Sequence, residues 1–139
     1  MKLLIYTDAG SRGNPGPAAI AILIFQEGKL LKRHGEYIGP ATNNQAEYTA
    51  VIKALELAHS QGAKEIKLYS DSELVCRQLK GEYKVKNALL KPLFEKTKAL
   101  EKGLKVTYAS VSRENPVLKM ADRLVNDLLD SQERRLGKP

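Results

Sequence analysis

The sequence predicts an α/β domain: a mixed β-sheet with helices on its faces. Three observations predict it. The chain opens on LLIYTD, an apolar run of the kind found in a central strand buried on both sides. Two further apolar runs follow with only a short turn between them, which reads as a hairpin. After residue 42 the pattern changes to alternating helical and strand segments, so the order of elements is β-β-β-α-β-α-α-β-α. A hairpin joined to αβ units implies a sheet that is neither all parallel nor all antiparallel.

Each element has local grounds. Lys2 to Asp8 is the first strand and Gly10 to Gly16 a loop. Pro17 to Phe25 and Leu30 to Ile38 form the hairpin around Gln26-Glu27-Gly28-Lys29, and Gly39-Pro40 is expected to break the second of these strands. Thr42 is a candidate N-cap, with Gln45 at the capping-box spacing. Val51, Ala54, Leu55 and Ala58 mark the apolar stripe of that helix, which ends at Gln61-Gly62. Glu65 to Ser70 is a strand, Ser72 to Leu79 a helix, and Gly81 to Asn87 a basic connector. Ala88 to Lys102 is a helix stopped by Gly103, and Lys105 to Val111 a strand. A loop to Pro116 precedes a last helix from about Leu118 to Asp130, and Ser131 to Pro139 is expected to fray.

With 139 residues, 42% of them apolar, the chain is expected to be a single domain over residues 1–139 with a core of its own. No apolar run is long enough for a signal peptide or a membrane span, and there is one cysteine, Cys76. A cytoplasmic monomer with no membrane partner is the expectation. The net charge is +7, and its surplus is concentrated between Arg77 and Lys105, where nine basic residues face three acidic ones. A charge run of this kind is either a solvated helix face or a surface that meets phosphates.

Four acids carry the chemistry. Tyr6-Thr7-Asp8 and Tyr69-Ser70-Asp71 repeat one pattern at the ends of two strands. Ligands of open α/β sheets gather beyond the carboxyl ends of parallel strands, so neighbouring strands would set Asp8 beside Asp71. Asp71 has a plainer alternative as cap of the next helix. Glu47 falls on the apolar stripe of its helix, where a carboxylate is costly unless a cation compensates it. Asp122 borders the stripe of the last helix, and its plainer reading is a first-turn acid that suits the helix dipole. Acids gathered at one sheet end repel one another without cations, and an all-oxygen donor set selects hard ions such as Mg²⁺ or Mn²⁺. In a basic protein such a site points to phosphoryl chemistry on nucleic acid.

Together YTDAGSRGNPG around Asp8, TNNQAEY around Glu47, YSDSELV around Asp71 and MADRLVNDLLD around Asp122 resemble the type 1 ribonuclease H family, in its order and at about its spacing. The resemblance spans essentially the whole chain. It implies a five-stranded mixed sheet in the order 3-2-1-4-5 with only strand 2 antiparallel to the rest. It implies hydrolysis of the RNA strand of RNA/DNA hybrids, leaving 5′-phosphate and 3′-hydroxyl ends, with double-stranded RNA as a second substrate of some members. By motif position, Asp8, Glu47, Asp71 and Asp122 would hold two Mg²⁺ ions, which Mn²⁺ would replace; one prepares a water and the other stabilises the departing oxygen. Gly10, Gly13 and Gly16 would let the backbone approach a sugar-phosphate. Asn14, Asn43 and Asn44 would meet the RNA strand or its minor groove, with Thr42 near a phosphate; the plainer reading is a turn and a helix start. The connector at 81–87 lacks the tryptophan-bearing handle of longer members. No histidine stands in the loop SVSRENPVLKMAD where many members have one; Ser110 and Ser112 are the candidate positions, and Arg113 or Glu114 the possible substitutes. Two other readings stay open: a non-catalytic nucleic-acid-binding module, and another two-metal nuclease of the same architecture. His34 and His59 are too scattered in sequence to suggest a histidine-based ribonuclease.

Overall fold

Apolar runs, one of them buried without interruption from Ala18 to Ile24, build the sheet. A computed structural model describes residues 1–137. Strands β1 (Lys2–Ser11), β2 (Gly16–Gln26), β3 (Lys29–Ala41), β4 (Glu65–Ser70) and β5 (Lys105–Ser110) form one sheet in the order β3-β2-β1-β4-β5. β2 runs antiparallel to both β1 and β3, whereas the β1–β4 and β4–β5 pairs are parallel. The order and the single reversed strand are those implied by the resemblance.

Two apolar layers cover the sheet. On one face, Leu3, Ile5, Ile20, Ile22, Ile24, Ile66 and Leu68 pack against Tyr48, Val51 and Leu55 of α1 (Asn43–Ser60). Val75 and Leu79 of α2 (Glu73–Leu79) and Leu93 and Phe94 of α3 (Lys91–Leu100) join this layer. On the other face, Ala19, Ala21 and Leu23 meet Ala121, Val125 and Leu129 of α4 (Pro116–Arg135). Alanines at 19 and 21 let that helix approach closely. Each large side chain buried this way contributes roughly 1.5–3 kcal/mol.

Several boundaries differ from expectation, each for a local reason. β1 does not stop at Asp8. Its parallel partner ends, but pairing with β2 continues through Asp8↔Ala21 to Ser11↔Ala18. β3 passes through Gly39-Pro40, because a bulge there absorbs one extra residue and because proline needs no N–H partner on an edge strand. α3 begins at Lys91 rather than Ala88, since the Asn87 side chain accepts from the N–H groups of Leu89 (2.7 Å) and Leu90 (3.3 Å) and folds a turn first. α4 begins at Pro116, capped by Asn115, and continues to Arg135. The tail expected to fray from Ser131 is therefore helical as far as Arg135; residues 138 and 139 lie outside the described part. No helix among the described residues is long and apolar enough to cross a membrane.

Candidate active site

The fork between β1 and β4 creates the site. Tyr6 and Tyr69 are in register, and their rings stack at 4.7 Å between centroids. Beyond them β1 stays in the sheet with β2, while β4 ends and the chain turns into α2. Asp8 and Asp71 are thereby carried to the same edge. α1 then supplies Glu47 from above the sheet. One carboxylate oxygen from each of Asp8, Glu47 and Asp71 lies within 4.8 Å of the others. Asp8 and Glu47 are each only 6% exposed.

Local structure explains why these side chains are free to do this. Thr42 caps α1, its hydroxyl accepting from Gln45 N–H (3.1 Å) while the Gln45 side chain accepts from Thr42 N–H (2.8 Å). That fixes the helix start and so the direction in which Glu47 points. Ser72, not Asp71, caps α2, through Val75 N–H (3.3 Å). The plainer reading of Asp71 as a helix cap therefore fails. Asp122 stands beyond the first turn of α4, so its plainer reading as a first-turn acid fails as well.

Asp8, Asn43, Glu47, Asp71 and Asp122 line one cleft of about 450 Å³. Asp122 shares it without being one of the three acids in closest contact. Arg113, Glu114 and Lys119 complete the rim. Arg113 Nε sits 3.4 Å from Asp71 Oδ2, on a side chain that is otherwise exposed. The sequence offers Arg113 only as a substitute in the loop; Lys119 carries no signal in the sequence at all.

Electrostatics sets this cleft apart. Burial, then the charge of Asp71 and of Asp122, push the Asp8 carboxyl up to about 7, against weaker opposition from the Ala9 backbone hydrogen bond and Arg113. Glu47 is raised well above the ordinary carboxylate range by burial, then by Asp8 and Asp71. Three oxygen donors lie close together, those of Asp8 and Glu47 buried and that of Asp71 half-buried, with no buried cation among the described residues, and they match the needs of a hard divalent ion. The donor set fits such a metal and does not fit zinc, which prefers nitrogen or sulfur. Cys76 is buried and its thiol is pushed up to about 11, so it is inert. His34 pairs with Glu36 (3.0 Å), and the His59 ring lies 2.7 Å from the Leu100 carbonyl; neither lines the cleft.

Of the remaining candidate residues Asn43 lines the cleft, whereas Gly10, Gly13, Asn14, Thr42 and Asn44 are not among its lining residues. Asn14 Oδ1 accepts from Asn43 N–H (3.2 Å), which joins the β1–β2 turn to the start of α1. Asn14, Asn43 and Asn44 are exposed. The glycines have structural grounds of their own. A Cβ on Gly10 would stand 3.2 Å from Val125 Cγ1, so this residue lets α4 lie close to β1. Gly13 has φ +138°, and a Cβ on Gly16 would meet the Arg12 carbonyl at 2.5 Å. The fold of the turn itself thus requires glycine at 13 and 16. Among the nine bases between Arg77 and Lys105, Arg77, Lys80 and Lys98 are engaged in ion pairs, whereas Lys84, Lys86, Lys91, Lys96, Lys102 and Lys105 are exposed.

Known proteins are similar to this chain in sequence and in fold. Ribonuclease HI of Halobacterium salinarum is 39% identical over 126 residues, covering 90% of this chain and 63% of that protein. A bifunctional protein of Mycobacterium tuberculosis is 39% identical over 134 residues, covering 94% of this chain. The chain spans only 36% of the length of that relative. The crystal structure of RNase H1 from Halobacterium salinarum superposes with a TM-score of 0.89 at 37% identity, covering 94% of this chain and 99% of that one. LC11-RNase H1, isolated from compost and solved in complex with an RNA/DNA hybrid, superposes at 0.87 with 40% identity, covering 94% and 98%. The RNase H family profile matches residues 1–128, and the chain belongs to that family.

Proposed function

We propose that this chain is a metal-dependent endoribonuclease that hydrolyses the RNA strand of RNA/DNA hybrids. The observation that carries the reading is the convergence of Asp8, Glu47 and Asp71 oxygens within 4.8 Å in a polar cleft with no buried counter-charge among the described residues. A pure binding module has no use for so costly a cluster. The hybrid bound to the similar LC11 enzyme supports the choice of substrate over that of another nuclease on this fold.

Asp8, Glu47 and Asp71 would hold the metal, with Asp122 contributing from α4. The reading assigns them two Mg²⁺ ions, replaceable by Mn²⁺. When bound, such ions supply the positive charge that phosphodiester hydrolysis needs at both the attacking and the departing oxygen. The chain itself does the positioning. Asn43 lines the cleft, Asn14 is hydrogen-bonded to its N–H and Asn44 follows it in the chain; their exposed amides offer donors and acceptors, and a 2′-hydroxyl, which both donates and accepts, is read by such groups. Thr42 lies at the N-terminus of α1, where backbone N–H groups suit a phosphate. Gly10 and Gly13 keep the adjoining turn close to the sheet and the helix. The exposed lysines of the 77–105 stretch add nonspecific attraction for the strands, screened by salt. The proposal includes action as a monomer in the cytoplasm.

A gel assay of RNA/DNA, RNA/RNA and DNA/DNA duplexes, with Mg²⁺, Mn²⁺ or a chelator, tests the reading. Cleavage confined to the RNA strand, greatest on the hybrid and abolished by chelator, is expected. Cutting of DNA duplexes, or cutting that survives the chelator, would overturn it.

A further inference from the structure

The turn that carries Asn14 is held from three directions. Ser11 Oγ donates to the Ala41 carbonyl (2.7 Å) and ties the base of the turn to β3. Asn14 Oδ1 accepts from Asn43 N–H and ties the tip to α1. The third tie is long in sequence and joins the motif around Asp8 to the motif around Asp122 and the helix beyond it. The Arg12 guanidinium spreads over the C-terminal half of α4, with Nη1 2.8 Å from Glu133 Oε1 and Nη2 2.7 Å from Asp130 Oδ1. Nη2 also approaches the Asn126 side-chain oxygen at 3.3 Å.

We propose that Arg12 is a positioning residue for substrate, and that the last turns of α4 serve as the strut on which it holds the Asn14 turn. The inference rests on the hybrid-cleaving function proposed above, because it takes Asn14 and Asn43 as substrate contacts. Two features separate this bridge from an ordinary surface ion pair. One planar fork engages three side chains of a helix, which fixes orientation as well as distance. The helix it grips is already docked by Ala121, Val125 and Leu129 against β2, so it is a rigid anchor that does not depend on Arg12. Loss of the bridge loosens the turn, leaving it the ties of Ser11 and Asn14 alone, without releasing the helix. Asp122 is carried by the same helix, so α4 links the metal-side acid to the substrate-side turn. The bridge also places Asp130 and Glu133 under a cation beside a surface meant for a polyanion.

Arg12→Ala is expected to raise KM for the hybrid about fivefold while kcat stays within about twofold, the signature of lost binding that is uniform between ground and transition states. The pair Asp130→Asn/Glu133→Gln is expected to raise KM by a similar factor, although it removes two negative charges. If Arg12 merely shielded those acids, that pair would lower KM instead, and the positioning role would be overturned. Exchanging the partners, Arg12→Glu with Glu133→Arg, should recover most of the loss. Hydrogen exchange of the Asn43 amide in the free protein gives a readout that needs no activity, and Arg12→Ala should speed it about tenfold by local opening. Unchanged exchange and unchanged KM would refute the inference. A wild-type chain that fails to cut hybrids would remove the proposed function, and the exchange result alone would then decide whether Arg12 holds the turn.

Discussion

Glu47, buried, and Glu101, half-buried after α3, are both shielded glutamates, and their surroundings are opposite. Glu101 accepts a hydrogen bond from the Tyr108 hydroxyl (2.6 Å) and lies 3.3 Å from the Lys98 ammonium. Glu47 meets Asp8 and Asp71. The first carboxylate is paired with a donor and a cation of the chain; the second has two acids as close neighbours, and burial and their charge raise it well above the ordinary carboxylate range. The contrast teaches that burial of an acid does not mark a site. An acid buried among other acids does, because folding gains nothing from the arrangement.

The largest expected effect sharpens that contrast on the acidic side. Asp8→Asn should lower hybrid cleavage by about a thousandfold or more while hybrid binding is kept or tightened, as read by gel assay and by filter binding. Stability should move the other way. Between the unfolded value of 3.8 and the folded value of about 7, native Asp8 keeps a proton that the unfolded chain releases. The stability tied to that proton is full below about pH 4 and is lost as the pH rises through 7. In chelator the wild type should therefore weaken across that window, and Asp8→Asn should unfold at higher denaturant at pH 8, by about 1–3 kcal/mol. A variant both inactive and less stable would break the comparison.

The satisfied glutamate should behave in reverse. Tyr108→Phe removes a hydrogen bond to a charged acceptor and is expected to cost about 1–2 kcal/mol in a urea titration, with kcat within about twofold of wild type. A smaller effect tests the element that aims Glu47. Thr42→Ala removes the cap of α1 and should cost about 1 kcal/mol, with some loss of activity if Thr42 also meets a phosphate. Activity lost well beyond that stability change would strengthen the case for the phosphate contact.

Much of this was legible in the residues. The repeated tyrosine-hydroxyl-aspartate pattern sets Asp8 beside Asp71 only if β1 and β4 are neighbours, and the family resemblance supplies that pairing. The period of α1 exposed Glu47 as a carboxylate on an apolar stripe, and the capping box at Thr42 and Gln45 set the start of that helix. Other features were hidden, each for a physical reason. β1 reads as ending at Asp8 because Gly10 looks like loop, whereas its lack of a side chain serves the close approach of Val125. Pro40 looks like a breaker until β3 is known to be an edge strand. The polar end of α4 reads as fraying because its tie to Arg12 crosses more than a hundred residues of sequence and leaves no periodic signal. Arg113 lacks a pattern for the same reason: its place at the rim depends on β5 ending beside β4, where Asp71 follows.

The account turns on whether the three converging acids bind a divalent ion. Thermal unfolding at pH 8 with increasing Mg²⁺ measures this directly, since a ligand that binds only the native state raises the midpoint with its concentration. The wild type should rise steadily in Tm through the millimolar range, and Asp8→Asn and Glu47→Gln should rise little or not at all. A wild type indifferent to Mg²⁺, or variants that respond as strongly as it does, would contradict the account.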